Sequence, residues 1–327
     1  MTSRKYKQMF LFKNALFIIT GILAIGCTQK PALEVTVLSR QELEGVPSAS
    51  GLEILDKTLY AVGDNSPFLY RINNNYQIEE KQPIASVEGM VNGVTPKEIK
   101  MDFEAIACVE KEEGKEFLIF GSGSKSPKRD NMVTVNLGTG AVNTYSLVEF
   151  YKKLRETARL EEGALNIEGA VVKNDELLLF NRGENLILKY KLEELERYLA
   201  GERDCPAPKT YFINLPEIKG IKAGFSGAAI IPNEDQVLFT ASVENTEDWI
   251  NDGEVLGSFV GMIDLKGLKD NVTPDCVRLI DKGKPLNVKV ESLAVFYPTL
   301  HNDLRLLLVT DSDGGASELF EANLHWR

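Results

Sequence analysis

"IEGAVVKNDELLLFNRGENLILKYKL", residues 167–192, holds the pattern from which the fold is read. A strand of small and apolar residues turns at Asn174-Asp175, runs into the unbroken apolar "LLLF", and turns again at Arg182-Gly183 into a third strand. The same unit recurs along the chain. Its opening motif is "ASGLEIL" (49–55), "FEAIACV" (103–109), "IEGAVVK" (167–173), "FSGAAII" (225–231) and "VESLAVF" (290–296). Each motif leads through a polar turn into an apolar strand: "TLYAVGDNS", "EFLIFGSGS", "ELLLFNRGE", "QVLFTASVE" and "LRLLLVTDS". Third strands follow as "FLYRIN", "MVTVNL", "LILKYKL", "FVGMIDL" and "ELFEANL".

Aligned on Ser50, Glu104, Glu168, Ser226 and Glu291, the repeats are 54, 64, 58 and 65 residues apart. A period of that size with three or four strands per unit predicts an all-β, five-bladed β-propeller. Fourth strands are expected at 76–84, 141–147, 209–215 and 276–282. The fifth repeat has none, whereas "LEVTVLSR" (33–40) precedes the first repeat without a blade of its own. Pairing the two closes the ring and removes two open sheet edges. A six-bladed ring is the alternative, and it requires a unit the sequence does not display. Helical spacing predicts two short helices, 147–160 and 190–200, packed on the rim.

In such a blade the inner strand begins, and the second strand ends, at the same mouth of the central channel. The expected ligand-binding ring is therefore Ser50, Glu104, Glu168, Ser226 and Glu291. Around it should lie Asp64 and Asn65, then Ser124, Lys125 and Arg129, then Asn181 and Arg182, then Glu244 and Asn245. The last blade adds Asp311 and Asp313. Glutamates gathered in a narrow channel repel unless protons, cationic side chains or a metal compensate. Ca²⁺ favours several oxygen ligands, so Glu104, Glu168, Glu291, Asp311 and Asp313 form the expected set if a metal binds. "DSDGG" (311–315) resembles the start of an EF-hand loop, but its twelfth position is Ala322 and not glutamate, so that match is rejected.

"FLIFGSGSKSPKRDN" (117–131) imitates a phosphate loop. A P-loop needs GxxxxGK[ST] running into a helix, and here a strand pattern, "NMVTVNL" (131–137), follows. The segment is a hairpin that belongs to the mouth. With only His301 and His325 in the chain, a histidine-based triad or a His-rich zinc site has little support.

The N-terminus is expected to lie outside the fold. Arg4, Lys5, Lys7 and Lys13 precede "ALFIITGILAI" (15–25), too short to span a bilayer. "AIGC" (24–27) resembles the lipobox of bacterial lipoproteins, which implies cleavage before Cys27 and lipid attached to it. The reading divides the chain into a signal peptide (1–26), a lipidated tether (27–32) and one propeller domain (33–327). Losing residues 1–26 removes four positive charges and no acid from a chain of net charge −11, leaving about −15. That balance argues against nucleic acid, or an anionic membrane surface, as the main partner. Contact with the membrane is expected only through the lipid, on the periplasmic side of the outer membrane, with the protein a monomer. Cys108 should be a buried thiol, and Cys205 and Cys276 could pair in an oxidising compartment.

"PSASGLEILDKTLYAVGDNSPFLYRI" (47–72), "DFEAIA", "GSGSKSPKRDNMVTVNL" and "NIEGAVV" together resemble bacterial propeller proteins of unknown function, many of them lipoproteins. The resemblance spans essentially the whole mature chain expected after cleavage before Cys27. More distantly, "SGL…LYAVGDNS" and "IEGAVV" look like the esterase-like or phytase-like propellers, which would imply phosphate-ester or metal-linked chemistry. Such motifs build blades and transfer fold rather than activity. Binding of a small anionic or sugar-like ligand at the mouth is the leading expectation. A metal-assisted hydrolase of a phosphate ester or glycan, and a protein-interaction scaffold, are the alternatives.

Overall fold

A computed structural model describes residues 33–161, 163–246, 253–298, 302–311 and 316–326. Five four-stranded antiparallel sheets follow one another along the chain, as the repeat predicts. The first blade is Ala49–Leu55, Thr58–Gly63, Phe68–Ile72 and Ile78–Pro83; the second is Phe103–Lys111, Gly114–Gly121, Asn131–Asn136 and Val142–Ser146. The third is Ile167–Lys173, Glu176–Asn181, Leu186–Lys191 and Lys209–Phe212. The fourth is Gly224–Ile230, Gln236–Asn245, Glu254–Asp264 and Asp275–Arg278. The fifth takes Val290–Pro298, Asp303–Thr310 and Ala316–Trp326, and its outer strand is the N-terminal Leu33–Pro47. That closing strand runs from Leu33 opposite Trp326 to Pro47 opposite Ala316.

The unbroken apolar runs have a geometric cause. Successive strand residues point to opposite faces, and each sheet is covered on both faces by neighbouring blades. In the third blade Leu177 and Leu179 join the core shared with the second, while Leu178 and Phe180 join the core shared with the fourth. Five hydrophobic clusters result, one in each gap between blades. Each fully buried Leu or Phe in them contributes about 1.5–3 kcal/mol.

The small residues of the repeat answer a different constraint. The inner strands crowd around the axis, and Gly227 shows how tightly: a Cβ there would lie 2.7 Å from the Ser292 Cα and 2.9 Å from the Glu291 carbonyl oxygen. No side chain fits such a gap.

The predicted helices form at Val148–Ala158 and Leu192–Leu199, on the rim. The first does more than cover the surface. Its Tyr151 hydroxyl donates to the Gly121 carbonyl at 2.7 Å and its Arg155 reaches Asp130 at 3.4 Å, so it braces the 121–131 loop. No helix among the described residues is long and apolar enough to cross a membrane. Cys108, Cys205 and Cys276 are unbonded thiols. Cys205 packs beside the rim helices and Cys276 against the core between the third and fourth blades.

Candidate functional site at the channel mouth

All five ring residues occupy the same irregularity. The register between inner and second strands shifts between Ala49 and Gly51, Phe103 and Ala105, Ile167 and Gly169, Phe225 and Gly227, and Val290 and Ser292. The residue skipped each time is Ser50, Glu104, Glu168, Ser226 or Glu291. A bulge leaves its extra residue out of the ladder and re-aims its side chain. The repeat thus encodes five bulges at one mouth.

The acids and bases there form two linked groups. In the first, the Lys100 ammonium lies 2.5 Å from Asp64 Oδ2 and 2.6 Å from Asp102 Oδ1. Arg129 reaches Asp102 Oδ2 at 2.8 Å, and the Ser122 hydroxyl donates to the same oxygen. Asp64, Asp102 and Glu104 each place a carboxyl oxygen within 4.8 Å of the others. In the second, Arg182 donates to Glu244 at 2.6 Å and to the Ser242 hydroxyl at 2.9 Å. Lys289 bridges Glu291 at 2.9 Å and Glu244 at 3.3 Å. Asn166 donates to Glu168 at 2.5 Å. Gly224 makes the Arg182 path possible, because a Cβ there would stand 2.7 Å from the Arg182 Cγ.

Burial sets the protonation of the ring. It pushes the Glu104 carboxyl well above the ordinary range, reinforced by the negative charges of Asp102, Glu168 and Asp64. Burial likewise raises Glu291 to about 8, against the pull of Lys289. Glu168 is raised by burial too, opposed by Arg182 and Lys289. Lys289 moves up despite its burial, held by Glu291 and Glu244. The ring carboxyls are thus shifted toward their protonated form, and Lys100, Arg129, Arg182 and Lys289 lie against Asp64, Asp102, Glu244 and Glu291. This is how the structure answers the expected repulsion.

The remaining predicted residues divide. Ser50 donates to the Phe103 carbonyl at 2.5 Å and clasps the first blade to the second. Asn65 braces its own turn by donating to the Ser48 hydroxyl, and Asn181 holds the 164–166 segment. Ser226 is fully buried, its hydroxyl without a hydrogen-bond partner among the described residues, and the same holds for Glu291 Oε2. Ser124 and Arg129 belong to the Asp102 group, whereas Lys125 is exposed at the loop tip. Burial raises the Asp64 carboxyl against the pull of Lys100, and the charges of Asp102 and, least, Asp311 add to the rise. The expected metal set is thus divided: Glu104 sits with Asp64 and Asp102, while Glu168 and Glu291 sit with the Arg182–Lys289 group. Cys27, His301 and Asp313 lie outside the described residues, and His325 pairs with Asp303 at 2.7 Å, at the turn end of the fifth blade away from the ring.

Three residues central to the site were not among the expected ones: Lys100, Asp102 and Lys289. A signal existed. "KMDFEAIA" (100–107) and "KVESLAVF" (289–296) both set a lysine shortly before a glutamate-bearing inner strand.

Fold and site together define a single five-bladed propeller with a buried polar ring of paired acids and bases at one mouth. The chain belongs to the family of unknown function DUF6929, whose pattern it matches over residues 45–324. Among solved structures it is similar to the glutaminyl cyclase of Myxococcus xanthus, at 10% identity and a TM-score of 0.51, covering 91% of this chain and 100% of that one. It is also similar to a member of the DUF4221 family from Bacteroides vulgatus, at 10% identity and a TM-score of 0.38, covering 89% and 78% of the two chains. At these identities the first likeness speaks to the fold alone and the second carries no argument. No protein of curated function matches the sequence.

Proposed function

We propose that this protein is a small-ligand-binding propeller of the bacterial cell envelope, tethered through lipid on Cys27 and facing the periplasm, whose ring takes a sugar-like, polyhydroxyl ligand. The observation that supports it is the pairing at the mouth. Lys100, Arg129, Arg182 and Lys289 are all committed to carboxyl groups, while Ser226 and Glu291 keep buried oxygens without hydrogen-bond partners among the described residues. An anionic ligand would have to break existing ion pairs, so the sugar-like half of the sequence expectation is favoured over the anionic half. Carboxyls that burial shifts toward the protonated form, beside the Ser226 hydroxyl, offer both donors and acceptors, as hydroxyl groups require.

Thermal-shift measurements with neutral mono- and disaccharides and their phosphate esters test this reading. A neutral sugar should raise the Tm, its ester should do no better, and Glu168→Gln with Glu291→Gln should abolish the effect. Silence across the panel, or preference for the esters, overturns it. Intact mass after membrane extraction tests the lipid on Cys27.

One observation supports a hydrolase as a second reading. Glu291, raised to about 8 chiefly by burial, shares the Lys289 ammonium with Glu244, and a carboxyl raised in this way can serve as a general acid. Turnover of a glycoside or phosphate ester that Glu291→Gln abolishes would favour it.

A further inference from the structure

Between the first two blades lies a cleft of about 350 Å³ that the ring does not include. Its apolar lining comes from Pro67, Ile99, Met101 and Phe103. Its polar lining includes Asp64 and Thr95, and each carries a buried oxygen with no hydrogen-bond partner among the described residues: Asp64 Oδ1 and Thr95 Oγ1. The volume falls within the range of small-molecule sites, which combine apolar walls with a few placed polar groups. The segment joining the two blades, residues 84–102, forms one side. It carries Val87, Val91 and Ile99, three of the six large hydrophobic side chains exposed among the described residues. Of these Ile99 lines the cleft, and with Pro67, Met101 and Phe103 it presents an apolar wall that calls for something apolar to cover it.

The charges select the other end of the ligand. Lys100 is the one cation in the lining, and it is held between Asp64 Oδ2 and Asp102. Asp64 Oδ1 remains an acceptor, and Glu88 adds a second carboxylate to the lining. An anion would meet two carboxylates and a lysine already engaged. A protonated amine would meet two acceptors, and charge-assisted hydrogen bonds are about twice as strong as neutral ones. We propose that this cleft binds a small amphipathic amine, its apolar body between Ile99 and Phe103 and its ammonium donating to Asp64 and Thr95. The proposal goes beyond the ring reading and shares only the border residues Asp64 and Lys100 with it.

Phenethylamine, with the neutral 2-phenylethanol and the anionic phenylacetate as comparators, tests it by isothermal titration. The amine should bind saturably to the full-length protein, the alcohol at least about tenfold more weakly, and the acid not at all. Ala85→Trp, which fills the cleft from the connecting segment, should abolish amine binding. Ile99→Lys, at a half-exposed position that tolerates the change, should weaken it at least about tenfold by repulsion. Glu291→Gln should leave it intact, and Ala85→Trp should leave any sugar response of the ring intact, so the two readings fail separately. No saturable amine binding, phenylacetate binding as well as the amine, or unchanged affinity in Ile99→Lys would overturn the proposal.

Discussion

The Lys100 ammonium lies 2.6 Å from Asp102, inside the cluster of carboxyls that, among the described residues, is spaced to hold a cation. A lysine so placed acts as a built-in counter-ion. Removing it takes the cation from Asp64 and leaves Asp102 with Arg129 alone, and breaking a buried pair of this kind costs about 3–5 kcal/mol. Lys100→Ala should therefore lower the Tm markedly, and millimolar-range calcium should recover part of the loss, since three carboxyls then face one another. The wild-type Tm should not respond to calcium. Differential scanning fluorimetry with and without the ion checks both, and a Lys100→Ala protein indifferent to calcium would remove the counter-ion argument.

Glu291 makes stability depend on pH. Its carboxyl titrates near 4.5 when unfolded and is raised to about 8 when folded, chiefly by burial. The folded state thus binds the proton more tightly, so the group's contribution is fully present below pH 4.5 and is lost as pH rises through about 8. Glu291→Gln, which cannot ionise, should match the wild type at acidic pH and become the more stable of the two by pH 8 to 9. Tm against pH for both proteins tests this, and parallel curves would sink it.

Gly224 is expected to matter through Arg182 rather than through its own backbone. Gly224→Ala places a methyl group 2.7 Å from the Arg182 Cγ and must push the guanidinium off Ser242 and Glu244. The cost should be about 1–3 kcal/mol. Combining it with Arg182→Met should give less than the sum of the two, because the residues share one contact. Additive losses in chemical denaturation would show that the glycine acts some other way.

The closing strand gives a prediction about assembly. A chain beginning at residue 48 lacks Leu33–Pro47 and uncovers the Ala316–Trp326 strand along its length. An unpaired edge of that length templates pairing with another chain. Such a protein should associate in a concentration-dependent way in light scattering and melt at lower temperature. A monodisperse, equally stable product would mean that the strand is dispensable.

How much of this was legible beforehand varies with distance from the repeat. The blades were legible because Leu177–Phe180 and its counterparts must bury both faces, which leaves unbroken apolar runs at a regular period. Ser50, Glu104, Glu168, Ser226 and Glu291 were legible because one bulge recurs at one place in each repeat. Lys100, Asp102 and Lys289 precede the inner strands in connections of unequal length, where alignment gives no register. Lys125 looked like a ring cation by its neighbours in sequence, yet its loop leaves it in solvent while Arg129 turns inward to Asp102.

By itself, then, the sequence determined the architecture and which five residues stand out of the ladder at the mouth, because both follow from local periodicity. Which charges neutralise one another was decided only in three dimensions. Asp64 meets Lys100, and Arg182 meets Glu244, across gaps of 36 and 62 residues. The upward shift of the Glu104 and Glu291 carboxyls was decided there as well, since it depends chiefly on how completely the surrounding blades exclude water.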